Sequence, residues 1–356
     1  MPDFFSINGS INWGAFIFGA LLLYLILVIF LNRYRPSGDK VEYLNSPNIS
    51  EEPAASSITL TIWNIGYAGL GKDSDFITDG GKSWRPPSKQ TVQDNLTGIQ
   101  KTLEKAPINA ANITMLQEVS VKSPLSYWVP VRTILLQHFQ KHHAAYRPDI
   151  SSKGLPWPLK IAHGTMTLSR SKPKATQIIK LPAEPTFLGG LIKRNYALLV
   201  TRLPIKNTSA EWIIINLHLA AFDPNGATRH KQLKAVMAYA NSEYAKGNFI
   251  IMGGDWNMAL TPSDFPHTTD LENLFWLVNL PKKFIPTDWN ITCDTATPTV
   301  RTNYQPYTKG QNYTAIIDGF ITSPNVHIDT VLTTDTNFTH TDHMPVTATF
   351  STKPVS

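Results

Sequence analysis

The sequence predicts an α/β domain held to a membrane by one N-terminal helix and a short tether. Three observations carry that reading. Residues 11–31 form an uncharged apolar stretch, residues 34–57 are rich in Pro, Ser, Asn and Glu, and from residue 58 short β-type runs alternate with helical stretches. With 356 residues, 42% of them hydrophobic, the chain is long enough for a large core. No internal repeat or second linker interrupts residues 58–356, so they are read as one domain.

The first element is "INWGAFIFGALLLYLILVIFL". As a helix rising roughly 1.5 Å per residue it measures about 31 Å, the thickness of a bilayer core. A buried core helix of that length normally keeps a polar face, and this stretch has none. A secretory signal starts with basic residues, whereas "MPDFFSING" offers Asp3 and no Lys or Arg. Residues 1–33 are therefore read as a retained anchor. Arg33, Arg35 and Lys40 follow it, and the positive-inside rule places the downstream chain in the cytoplasm. The composition of 34–57 is that of a flexible tether.

Beyond it, "ITLTIWNIG", "NITMLQEV", "YALLVTRL", "EWIIINLHL", "NFIIMGG", "TAIIDGFIT" and "VTATF" read as strands, being rich in β-branched and aromatic residues. A helix is expected near Thr91, with Thr91 and Asp94 as a capping box. A second is expected over "ATRHKQLKAVMAYANSEYAKGN", where Leu233, Val236, Met237, Ala240 and Tyr244 share a face and Gly247 suits the C-terminal cap. One cysteine, Cys293, excludes an internal disulfide and a cysteine-based zinc site. The net charge of +6 suits anionic partners, although no Lys/Arg block marks a nucleic-acid arm.

Polar residues recur where the apolar runs close: Asn64 in "IWNIG", Glu118 in "MLQEV", His218 in "INLHLA", Asp255 and Asn257 in "IIMGGDWN", Asp318 in "IIDGF", and Asp342 and His343 in "THTDHMPV". Such groups are costly to bury unpaired, so their recurrence points to one shared site. Glu118 and Asp342 suit a hard cation such as Mg²⁺, with Mn²⁺ as a substitute. His218 and His343 suit hydrogen bonding to phosphoryl oxygens. Asp255 suits accepting a proton from water, with Asn64 and Asn257 fixing it or the phosphate, and Asp318 suits orienting His343. Together they describe metal-assisted hydrolysis of a phosphate ester.

The ordered motifs "WN", "QE", "NLHL", "GGDWN", "IDGF" and "TDH" resemble the endonuclease/exonuclease/phosphatase superfamily, whose members include deoxyribonuclease I-like and sphingomyelinase-like enzymes. The resemblance spans residues 58–350. It implies a four-layer sandwich, two β-sheets face to face with helices outside, and a Mg²⁺-dependent phosphodiesterase or phosphatase. It carries the same roles onto Asn64, Glu118, His218, Asp255, Asn257, Asp318, Asp342 and His343.

The substrate is read from three further features. The insertion "IGYAGLGKDSDFITDGGKSWRPPS", with Lys72, Lys82 and Arg85, is either a mobile surface loop or a lid. Arg229, His230 and Lys231 open a helix, where Arg229 is expected to contact phosphate. Lys193 and Arg194 are either phosphate contacts or only edge charges, and His163 is within reach of the site, with a structural role the preferred reading. Trp84, Tyr127 and Trp128 suit either a membrane interface or the core. A tethered enzyme meets lipids at high effective concentration, which favours a phospholipid headgroup or phosphorylated small molecule. The alternatives are a membrane-tethered nuclease acting on nucleic acid and a non-catalytic lipid- or protein-binding module.

Overall fold

Along β2 (Ser57–Asn64), Ile58, Leu60 and Ile62 face one way and Trp63 the other, the two-residue period of a strand buried on both sides. The computed structural model describes residues 13–34, 40–44, 52–105, 111–152, 154–156, 158–183, 194–221 and 223–353, and in it that period builds two large sheets. The first runs in the order β1 (Glu42–Leu44), β4 (His143–Ser151), β5 (Ala162–Ser169), β3 (Ala111–Ser120), β2, β15 (Val346–Thr352), β14 (Val326–Thr333). The second runs β10 (Asn290–Thr292), β13 (Asp318–Thr322), β9 (Phe249–Asp255), β8 (Glu211–His218), β7 (Ala197–Pro204), β6 (Ala175–Lys180). Both sheets are mixed: β2 pairs with β3, and β8 with β9, in parallel. The short pair β11 (Val300–Arg301) and β12 (Thr314–Ala315) stands apart.

The inner faces meet in a layer that includes Leu60, Ile62, Met115, Ile214, Ile251, Phe320 and Phe350. Each fully buried Leu or Ile here contributes roughly 1.5–3 kcal/mol relative to exposure. The outer face of the first sheet is covered by α2 (Lys89–Lys105) and α3 (Val131–His138), through Val92, Leu96, Ile99, Val131 and Leu135. The outer face of the second is covered by α4 (Ala227–Tyr244). This is the expected sandwich of two sheets between helices.

Before it lies α1 (Trp13–Tyr34), whose stretch Trp13–Asn32 is long and apolar enough to cross a membrane. Part of the segment expected to be a flexible tether is instead fixed. β1 extends the first sheet by pairing with β4, and Ala54 bonds to the backbone of β7, its N–H donating to Pro204 O at 2.9 Å. An open sheet edge binds whatever extended chain is near, and here the chain supplies its own. Arg35 lies outside the described residues, as does Lys193.

α2 begins two residues before the expected cap, and Ser88 caps it instead: Ser88 Oγ accepts the Thr91 N–H at 3.0 Å, while Asp94 takes a hydrogen bond from Gln90. In α4 the expected residues Leu233, Val236, Met237 and Ala240 are buried and Tyr244 packs beside them. Gly247 lies just past the helix with φ +85°.

Candidate active site

The parity that fills the inter-sheet core also aims the polar side chains. Inner-facing positions of β2 read Ile58, Leu60, Ile62 and then Asn64; those of β8 read Trp212, Ile214, Asn216 and His218. In β9 the same face carries Phe249, Ile251, Gly253 and Asp255, and in β13 it carries Asp318 and Phe320. Each strand thus ends its apolar face with a polar group between the sheets. Register aligns them, His218 with Asp255 and Asp318 with Asp255. A polar layer closes the floor: Gln117 donates to Asn216 Oδ1 at 2.8 Å, and Asn216 donates to Met166 O at 3.0 Å.

Asp255 is the hub. Its Oδ2 accepts Asn64 Nδ2–H at 3.0 Å and its Oδ1 accepts the Asn257 N–H at 2.8 Å. Gly254 works by close approach: with φ +137°, a Cβ there would fall 2.1 Å from Leu217 O, so only glycine lets β9 lie this near β8. Asn257, at φ 50°, donates through Nδ2 to Leu219 O at 3.0 Å.

Arg229 does not face this cavity, contrary to its expected phosphate contact. It is fully buried, bonding Asp223 Oδ1 at 2.7 Å and the carbonyls of Asn257 and Trp276 at 2.6 and 2.7 Å. The anion at this helix start is the chain's own Asp223, whose carboxylate also accepts the Arg229 N–H at 3.2 Å. Arg229 therefore positions Asn257 from behind. His230 stacks near Phe284, with ring centres 6.1 Å apart, and Lys231 is exposed.

Two histidines flank Asp255 Oδ2, His218 Nε2 at 3.5 Å and His343 Nε2 at 3.8 Å. His343 Nδ1–H donates to Asp318 Oδ2 at 2.9 Å, and its carbonyl is held by Trp63 Nε1–H at 3.0 Å. Burial opposes protonation of His343, but Asp318 and Asp255 outweigh it and push its pKa up to about 10. At neutral pH it is an imidazolium paired with a carboxylate.

His218 is the reverse case. Burial and then Arg194 push its pKa well below the usual histidine range. Arg194 Nη2 stands 2.8 Å from His218 Nδ1 and 2.9 Å from Nε2, and a ring can accept from that donor only when one nitrogen is unprotonated. Of the two readings open for Arg194, the structure favours the site over the edge charge: it stands beside His218, just before β7. Behind it, Arg147 pairs with Asp149 and binds the carbonyl of Asn195.

Glu118 interrupts its strand. It has φ 56°, and the β3–β5 ladder shifts between Leu116 and Val119, a bulge that turns its carboxylate into the site. Burial, and next the facing Asp342, push its pKa up to about 8. Two carboxylates buried near one another form an all-oxygen donor set whose mutual repulsion a divalent cation would remove, so the residues fit a hard metal ion. Asp342 is further held by Asn303 Nδ2–H at 3.3 Å and Thr341 Oγ1–H at 3.1 Å. Among the described residues, Asp255, Asp318 and His343 are also compact enough to share an ion, their ligand atoms lying within 4.8 Å of one another. In that group, however, His343 Nδ1 is already bonded to Asp318, so Glu118 and Asp342 remain the better pair for the metal.

The insertion after Asn64 is a built wall. Gly66, Tyr67 and Ala68 are successively left-handed, with φ 47°, 58° and 57°, and a Cβ on Gly66 would fall 2.8 Å from Asp342 Oδ1. Tyr67 hydrogen-bonds to Glu118 and stacks on His163 at 4.8 Å. His163 is buried, with Nδ1 unpartnered, and burial followed by Arg194 lowers its pKa to about 3. Arg301, buried behind the loop, donates to Gly71 O at 2.8 Å and to Ser74 Oγ at 3.2 Å. Asp79, half-buried at the rim, is pushed up to about 7 by burial and then by Asp342.

The family described as the Endonuclease/Exonuclease/phosphatase family matches residues 62–343. The fold is similar to an endonuclease/exonuclease/phosphatase from Beutenbergia cavernae, with a TM-score of 0.57 and 16% identity over 84% of this chain and 73% of that one. It is similar to the human Nocturnin catalytic domain with bound sulfate, at 0.51 and 17% over 88% and 98%. It is also similar to TDP2 from Caenorhabditis elegans, at 0.51 and 15% over 83% and 74%. At these identities the likeness is one of fold. No match was found among curated proteins.

Proposed function

The chain belongs to the endonuclease/exonuclease/phosphatase family, and from that premise we propose that it is a membrane-anchored, Mg²⁺-dependent phosphoesterase. The observation that carries this reading is the convergence of Asn64, Glu118, His218, Asp255 and His343 at one mouth of the sandwich. In the proposed reaction Asp255 accepts the proton of a water molecule as its oxygen bonds to phosphorus. The bond to the leaving oxygen breaks in line with that attack. Imidazolium His343 donates to a non-bridging oxygen as charge builds there, and Asp318 keeps it charged and oriented. Neutral His218 and Arg194 face the same oxygens from the second sheet. Glu118 and Asp342 would hold the metal, which when bound supplies Lewis-acid polarisation of the phosphoryl group.

The favoured substrates are a phospholipid headgroup or a phosphorylated small molecule, because α1 suits a membrane anchor. The test offers the full chain phospholipid vesicles containing sphingomyelin, inositol phosphates and plasmid DNA in parallel, with Mg²⁺ or with a chelator. Metal-dependent release from a lipid or small phosphate, lost in Asp255→Asn, is the expected result. Cleavage of DNA alone would keep the chemistry and overturn the substrate. Turnover of none would leave the binding-module reading standing.

A further inference from the structure

Three aromatic rings surround one guanidinium on the flank where α1 meets the domain. Arg85 Cζ lies 5.1 Å from the ring centre of Trp84, 5.1 Å from that of Tyr127 and 5.9 Å from that of Trp128. Trp84 is 51% exposed. Trp128 Nε1–H donates to the carbonyl of Pro158 at 3.0 Å, and Pro158 belongs to the turn joining β4 to β5, where residues 154–160 read GLPWPLK. At the other end of that turn the carbonyl of Gly154 accepts the Tyr24 hydroxyl of α1. Val28 and Leu31 crowd the same glycine, a Cβ there falling 3.0 Å from Val28 Cγ2, and Val28 is fully buried while most of α1 is exposed.

Contacts with Tyr24, Val28 and Leu31 place Gly154 beside the C-terminal part of the apolar span. Tyr24 precedes Asn32, the end of the apolar span, by eight residues, or ~12 Å along a helix. A turn touching Tyr24 and Val28 therefore sits within the boundary of a bilayer that α1 crosses. Backbone at that depth must satisfy its polar groups without water. Pro156 and Pro158 have no N–H to satisfy. Leu159 N–H donates to Pro156 O at 2.8 Å, Ser152 N–H donates to Ile161 O at 2.9 Å, and Ile161 N–H donates to Ser152 Oγ at 2.8 Å. The carbonyls of Gly154 and Pro158 are taken by Tyr24 and Trp128. Leu159 is 57% exposed. Lys82, Lys122 and Lys160 are exposed in the segments that form this flank, the arrangement of cations and amphipathic aromatics found at headgroup level.

We propose that the described residues of the β4–β5 turn (152, 154–156 and 158–161) and the aromatic cluster around Arg85 form a bilayer-seating face, occupied by the phospholipid surface that holds α1. This rests on the anchor reading of α1. The loop that carries Arg85 begins at Tyr67, against Glu118, so seating this face sets the height of the catalytic mouth above the headgroups.

The test reconstitutes the full chain, in a Cys293→Ser background, into vesicles of phosphatidylethanolamine and phosphatidylglycerol. An environment-sensitive fluorophore is attached at Leu159→Cys, at Trp84→Cys as a second probe of the same face, and at His327→Cys on β14, the far edge of the first sheet. With nitroxide-bearing lipid present, the Leu159 and Trp84 probes should be quenched several-fold more than the His327 probe. Equal quenching at all three positions, with the chain still resisting alkaline extraction, would overturn the seating face and leave the anchor intact. Release of the chain by alkaline extraction would overturn the anchor reading, and the face with it.

Discussion

His343 enters the site just before β15 of the first sheet and His218 at the end of β8 in the second, and both stand within 4 Å of the same oxygen of Asp255. They share a ligand and a cavity, yet their charge states are opposite. Behind His343 lies the carboxylate of Asp318; beside His218 lies the guanidinium of Arg194. The second neighbour of each ring, and not its burial, sets the difference, since burial alone pushes both toward the neutral form. A phosphoryl group bound between them would meet an imidazolium on one side and, on the other, a neutral imidazole with a guanidinium beside it.

The largest effect should come from removing the charged partner. His343→Gln is expected to lower kcat/KM by about 10³–10⁴-fold, roughly 4–5.5 kcal/mol, whereas His218→Gln should cost about 10²-fold, in the range of one lost transition-state donor. Steady-state kinetics on whichever substrate the parallel assay yields measures both, and equal losses would break the comparison. Next in size is a stability effect that separates structural charge from catalytic charge. Arg229→Met leaves Asp223 buried without its partner and should destabilise the fold by about 3–5 kcal/mol, read from urea unfolding. A variant that loses activity with unchanged stability would instead return Arg229 to the phosphate.

The smallest effect is the pH slope of stability in metal-free buffer. His343 has a folded pKa near 10 against an ordinary 6.5, so its contribution is complete below pH 6.5 and fades as pH rises toward 10. His218 is held well below 6.5. It is neutral in both states at higher pH and costs stability as pH falls below 6.5, because the unfolded chain then takes up a proton that the folded chain refuses. Neither slope should exceed about 1.4 kcal/mol per pH unit. Melting curves should show His343→Gln flattening the alkaline limb and His218→Gln the acidic limb. Both variants altering the same limb would refute the charge assignment.

The sandwich and the residues that close its strands were legible because they share one signal, a polar group ending an apolar run. Asn64, His218, Asp255 and Asp318 carry that signal in the bare sequence. Arg194 does not: it sits in the polar "KRNY", and its bridge to Ile150 of β4, distant in sequence, helps bring it to His218. Tyr67 was hidden for a similar reason, since its contact with His163 depends on a left-handed turn and on a strand distant in sequence. Arg229 misled because a helix start looks like an anion site, and nothing local says that Asp223 already fills it. Within the expected tether, β1 was not legible because it has too few residues to announce itself before the edge it completes exists.

The parity of the inner face has a consequence for how such a chain can change over generations. Because His218 and Asp255 are aimed by even spacing from the core residues before them, gain or loss of one residue within β8 or β9 would turn the reacting group into the helix layer and an aliphatic one into the cavity. These strands accept exchange of one apolar residue for another far more readily than any alteration of length. Alteration of length is better placed in the connections, such as the outer part of the insertion around residues 77–82, where no strand parity applies.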